Sequence, residues 1–251
     1  MKRFILVGLL ALTIASCAGG TETGNPFVST EIGLQVWSSD PQAVAVSRGA
    51  GGTVIEEAWV SFSEFIFLGE GECGDMTEFH TEAGPTLAAA DLAQAGTRIE
   101  IELEAAVYCG LVVPLEKMTA DSELPEGAPQ ELSDHSIVVK GQRSDSVRFT
   151  LAFPEQDELE LIGDPGPFST DFSEEGLLLS FDVSVWMEGV DLDGAQLSMD
   201  GTVRIDAQRN ASLLEAFETN VECALGLYRD TNRNQTLDEG EPKLARCAEA
   251  Y

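Results

Sequence analysis

Between Arg98 and Glu104 the chain reads RIEIELE, with Ile99, Ile101 and Leu103 alternating against Glu100, Glu102 and Glu104. Side chains of an extended strand point to opposite faces in turn, so this period of two describes a strand with one buried and one wetted face. The pattern recurs. Val147, Phe149, Leu151 and Phe153 alternate with Arg148 and Thr150, and Leu177, Leu179, Phe181, Val183, Val185 and Met187 form a row across a run from Leu177 to Glu188. That last run is longer than a usual strand and is expected to twist or bulge. Ala58, Val60, Phe62, Ile66 and Leu68 make a further inward row, and Trp59, Phe65 and Phe67 render its other face apolar, so both sides are expected to be covered.

Shorter strands are expected at 31–37, 107–115, 136–140, 158–162 and 196–206, separated by turn formers such as GDPGP at 163–167. Helical periodicity is confined to 210–219, where Asn210 stands at the capping position ahead of Leu213, Leu214 and Phe217. The alanine-rich stretch 86–95 suits a short helix or a loop. The fold class that follows is mainly β, an antiparallel two-sheet sandwich, immunoglobulin-like or related, with one or two short helices. Residues 30–207 are assigned to the sandwich and 208–251 to a helix and loop segment.

Ahead of the strands, Lys2 and Arg3 precede an apolar run from Phe4 to Ile14, followed by Ala15, Ser16 and Cys17. A basic start, a short apolar stretch and small residues describe a cleaved export signal over 1–16. The run ending at Cys17 resembles the lipobox of bacterial lipoproteins, in which the Cys is lipidated and becomes the mature N-terminus. With Ala at position 18, the resemblance implies sorting to the outer membrane. Residues 17–29, beginning CAGGTETGNP, read as a flexible tether. The lipobox, the GTETGNP tether and the segments AWVSFSEFIF, SIVVKGQRSDSVRFTLAF and LLLSFDVSVWMEGVDL resemble bacterial β-sandwich lipoproteins. That resemblance implies a surface protein at the cell envelope without a known enzymatic activity, in some cases with a calcium-type loop near the C-terminus, and it transfers no functional residue.

The 44 acidic residues against 14 basic ones give a formal charge of −30, which repels nucleic acid. The expected partners are a membrane, through the lipid, and an envelope protein or polysaccharide. Besides Cys17, the chain has Cys73, Cys109, Cys223 and Cys247, an even number that suits two disulfides in an oxidising compartment. Of the three connectivities, Cys73 with Cys109 and Cys223 with Cys247 keeps each pair local.

One stretch points to a cofactor. DTNRNQTLDEGE, residues 230–241, has the spacing of a twelve-residue calcium loop. Asp230, Asn232, Asn234, Asp238 and Glu241 supply side-chain oxygens, and Thr236 supplies its carbonyl. Leu237 takes the position of a pinning aliphatic. Gln235 stands where such loops use Gly, because the backbone there takes positive φ. Calcium is expected as a structural ion.

Other motifs suggest less. Asp191-Leu-Asp193-Gly reads as a hairpin turn. His80 and His135 sit in no zinc-binding pattern, and no nucleophile elbow or phosphate loop occurs. A hydrolase using paired carboxylates is the less expected alternative, since nothing selects a pair. A carbohydrate-binding role is the other, resting on Trp37, Trp59 and above all Trp186, which the alternation puts on the polar face of its strand.

Overall fold

A computed structural model describes residues 27–46, 52–69, 80–119, 122–170 and 175–247. The leader 1–16, Cys17 and Cys73 lie outside the described residues. In chain order come β1 (Phe27–Trp37), β2 (Val44–Val46), β3 (Thr53–Phe62), β4 (Phe65–Leu68), β5 (His80–Ala83) and β6 (Ala88–Asp91). They are followed by β7 (Arg98–Glu104), β8 (Val107–Tyr108), β9 (Gly110–Leu115), β10 (Ile137–Gln142), β11 (Arg148–Phe153), β12 (Asp157–Gly163) and β13 (Phe168–Ser169). β14 (Gly176–Asp182) runs into α1 (Val183–Trp186), and β15 (Val203–Ile205), α2 (Ala211–Val221), β16 (Leu225–Asp230) and β17 (Lys243–Cys247) complete the order.

The mainly β expectation holds. Among the described residues the principal sheet has 15 strands and follows the path β15-β11-β10-β3-β9-β12-β17-β16-β14-β1-β7, with β2, β4, β5 and β6 attached to its sides. It is mixed and not purely antiparallel, because β1 with β14, β11 with β15 and β2 with β3 pair in parallel. One continuous core draws Ile32 and Leu179 from one end of the path together with Ile55, Val139 and Phe149 from the other. The sheet therefore curls over on itself into two facing layers. At one corner the layers are pinned through the backbone: Leu92 N donates to Ala58 O of β3 at 2.8 Å, and Leu92 O accepts from Val36 N of β1 at 2.9 Å.

Where alternation was clean, the buried faces are as expected. Ile101 and Leu103 of β7, and Phe149, Leu151 and Phe153 of β11, all enter the core. The inward row of β3 does not continue into β4. After Phe62 the chain turns through Ser63 and Glu64, so Phe65 and Phe67, not Ile66 and Leu68, reach the core. The other side of β3 is indeed covered: Trp59 packs with Met118, Leu132, Val138 and Ala152 in a second apolar cluster, with Leu124 and Ala128 against it. The stretch 86–95 is neither helix nor plain loop, since Ala88–Asp91 pairs with β3.

The long run 177–188 also divides. It is a strand only to Asp182, whose carboxylate accepts from Ser184 N at 3.0 Å and caps the short helix α1. Strand 196–206 shrinks to β15, and the strand expected from residue 31 begins at Phe27, inside the expected tether. The helix at 210 is present, but Asn210 makes no capping bond. It sits at φ 53° and spends its side chain on Gln196 and Arg204 of the preceding segment. The segment 208–247 is woven into the sandwich, because β16 lies between β14 and β17, and β17 between β16 and β12. Among the described residues no helix is long and apolar enough to cross a membrane.

Candidate calcium loop

The loop 230–241 joins the ends of two neighbouring strands in the middle of the sheet path. Asp230 is the last residue of β16, paired with Gly176 of β14, and is 2% exposed. A buried carboxylate needs donors, and it takes them from the loop: Oδ1 accepts from Asn234 N at 3.1 Å and Oδ2 from Gln235 N at 2.8 Å. Asn232 Oδ1 accepts from Asn234 N at 3.0 Å, and Asn234 Oδ1 from Thr236 N at 2.8 Å. At the far end Glu241 reaches back across the ring, with Oε1 accepting from Thr231 N at 3.1 Å and Oε2 from Asp238 N at 3.2 Å. The first and last acids of the loop thus hold its backbone from opposite ends.

Asn232 Nδ2 and Asn234 Nδ2 both donate to Asp238 Oδ2, at 2.8 and 2.7 Å. These three side chains share one small space, where each amide turns its nitrogen to Asp238 while its oxygen accepts a backbone N–H of the loop. The donor set is all oxygen, with three carboxylates from Asp230, Asp238 and Glu241, and it fits a hard cation such as calcium. Among the described residues no three His, Cys, Asp or Glu side chains converge by themselves into a metal-holding group. The two Asn amides and the Thr236 carbonyl are therefore required members of any such set. Leu237 is half-buried, a weaker pin than expected.

Gln235 has φ 60°, the left-handed conformation that glycine supplies in such loops, and Arg233 has φ 56°. Each is tied down by its side chain. Arg233 donates from Nη2 to Glu175 O at 3.1 Å. Gln235 lies across β1, its Cβ and Cγ covering Gly33 so closely that a Cβ on that glycine would meet them at 3.1 and 3.2 Å. With its amide turned to satisfy both neighbours, Gln235 donates to Gly96 O at 3.3 Å and accepts from Arg98 Nη1 at 3.2 Å. Sequence reasoning weighed Gln235 only as a defect; the small residues Gly33 and Gly96 were the signal that something crosses there.

Behind the loop, Cys223 and Cys247 form a disulfide across 24 positions, and so bracket β16, the loop and β17. Cys109 is also disulfide-bonded, while its expected partner Cys73 lies outside the described residues.

The other candidate residues are dispersed. Trp186 is no exposed platform: it is fully buried in α1, with its ring 5.4 Å from Phe181 and 5.6 Å from Phe217, because the single helical turn rotates it into the core. Trp59 is buried in the second cluster and Trp37 is half-buried. Asp191 and Asp193 lie in an irregular segment and not in a strand hairpin. Asp191 Oδ1 accepts from Gly194 N at 3.0 Å, and Asp193 pairs with Arg143 at 3.3 Å. His80 faces Glu82 at 3.9 Å on the surface, and His135 contacts Ser133 O at 3.2 Å.

No family model matches the chain, and no curated protein matches it. Among solved structures it is similar to MbnP from Methylosinus trichosporium, at 10% identity and a TM-score of 0.40, over 70% of this chain and 83% of that one.

Proposed function

We propose that this chain is a lipid-anchored, extracytoplasmic β-sandwich protein with a non-catalytic binding or structural role at the cell envelope, its C-terminal strands stabilised by calcium. The observation that carries the calcium part is the ring closed by Asp230 and Glu241, whose side chains organise the loop backbone from opposite ends. Asp230, Asn232, Asn234, Asp238 and Glu241 would hold the ion together with the carbonyl of Thr236. Calcium would supply charge compensation for the loop's carboxylates and no reaction. The Cys223–Cys247 bridge supports an oxidising, extracytoplasmic setting. The anchor rests on the leader and Cys17.

Thermal unfolding of the full-length chain in detergent tests the calcium reading. Calcium at about ten to a hundred times Kd stabilises the wild type by about 1.5–3 kcal/mol, and Glu241→Gln removes most of that shift. Equal melting temperatures with calcium and with chelator would sink it. Metabolic labelling with an alkyne fatty acid tests the anchor: label enters the wild type and is absent from Cys17→Ser.

A further inference from the structure

We propose that Gln235 is a positioning strut through which the ion-holding loop fixes the corner that pins the two layers of the sandwich together. The inference rests on the calcium reading above and deepens it. An ordinary loop of this type places glycine at the sixth position, where it touches nothing. Here that position carries a long side chain in the left-handed region, at φ 60°, a conformation disfavoured for a residue with Cβ. Something must offset that cost, and the contacts of Gln235 identify it: the aliphatic part lies on Gly33, and the amide lies between Gly96 O and Arg98 Nη1.

Those contacts lead straight to the corner. Gly96 belongs to the turn between β6 and β7, and Arg98 opens β7. The turn is bound to both layers. Thr97 O accepts from Leu34 N of β1 at 2.8 Å, Leu92 bridges Ala58 and Val36, and the buried Asp91 accepts from Ala58 N at 2.9 Å, Ala93 N at 3.1 Å and Gln94 Nε2 at 3.1 Å. Gln235 N, in turn, donates to the ion-side carboxylate of Asp230. Ordering Asp230 around a cation fixes the backbone of Gln235, and the fixed backbone aims the amide at the turn. Gln94 and Thr97 of the same turn line one wall of a groove of about 390 Å³, which also takes in Trp59, Glu57 and Pro125.

The test combines calorimetric titration of calcium with hydrogen exchange of the 92–98 amides, on the full-length chain. In the wild type, calcium binds and slows exchange at 92–98 by about fivefold or more. Gln235→Gly keeps the left-handed backbone and binds calcium within about tenfold of wild type, yet 92–98 no longer responds. Arg98→Met removes the contact from the opposite end and blunts the response without touching a ligand. A calcium response at 92–98 that persists in Gln235→Gly, or is missing from a wild type that binds the ion, overturns the strut. Absence of binding to the wild type overturns the calcium reading, and the strut with it.

Discussion

The chain has two acidic, turn-rich segments, and they use their carboxylates in different ways. In 187–202 each acid works locally or at the surface: Asp191 accepts from Gly194 N, Asp200 from Thr202 N and Oγ1, and Asp193 meets Arg143. In 230–241 the acids work across the ring, Asp230 binding residues four and five positions on and Glu241 a residue ten positions back. The first arrangement satisfies a turn and finishes there. The second ties the loop backbone together from both ends, at the join of two interior strands, through a buried carboxylate that needs its donors. Acid content is similar; what separates a candidate site from a solvated turn is that the first and last acids of 230–241 bind backbone N–H groups of their own loop from opposite ends.

The strongest way to break this contrast is to remove the buried acid. Asp230→Ala leaves the Gln235 N–H without its acceptor inside the fold, while Asn234 N keeps Asn232. The expected loss is about 3 kcal/mol, or a melting temperature lower by roughly 6–12 °C, already visible with chelator present. Asp191→Ala, which frees only an exposed amide, should cost within about 1 kcal/mol. Similar shifts for the two, measured by calorimetry, would erase the distinction.

Much of this was legible in the residues. Alternation located β7 and β11 and their buried faces, since charged and apolar side chains cannot exchange sides there without burying charge. The spacing of 230–241 located the loop, and positive φ at Gln235 is what that spacing demands. The failures have a common cause. Period two continues unbroken through Leu177–Met187, yet Asp182 caps a helical turn, and both Val183 and Trp186 are buried by it. Pattern alone does not register a cap that wins over alternation. The Ala-rich strand β6 has no alternation to read, and the parallel pairs β1 with β14 and β11 with β15 join segments far apart in sequence. The role of Gln235 required knowing which glycines face it.

A change in the other segment sharpens the comparison from its own side. Arg143, with its side chain 13% exposed, donates from Nη1 to Leu192 O at 2.9 Å and pairs with Asp193 and Asp145. Arg143→Met should cost about 1–2 kcal/mol, with no dependence on calcium, because the segment it anchors belongs to no ion-holding ring. Asp145 supplies a second reading of the same change. Its carboxyl is held below the ordinary range by the Val147 backbone N–H and then by Arg143, so in Arg143→Met its pKa, followed by NMR, rises toward the ordinary value but stays below it.

The smallest effect sets the baseline of an ordinary surface pair. Lys140 of β10 meets Glu131 at 3.3 Å, tying the covering segment 122–135 to the sheet. Burial pushes the Glu131 carboxyl up, but its backbone N–H and Lys140 outweigh that and hold it below the ordinary carboxylate range. A group whose pKa is depressed on folding contributes stability that is complete above its unfolded value and is lost as pH falls through the folded one. Lys140→Met should therefore destabilise by about 0.5 kcal/mol at neutral pH, after allowance for solvent screening, and the difference from wild type should close as pH falls through the lowered Glu131 pKa. Chelator should leave that difference unchanged. If instead it grew when calcium was removed, the covering segment would be coupled to the loop at 230–241, and the division between local and ring-closing acids would have to be redrawn.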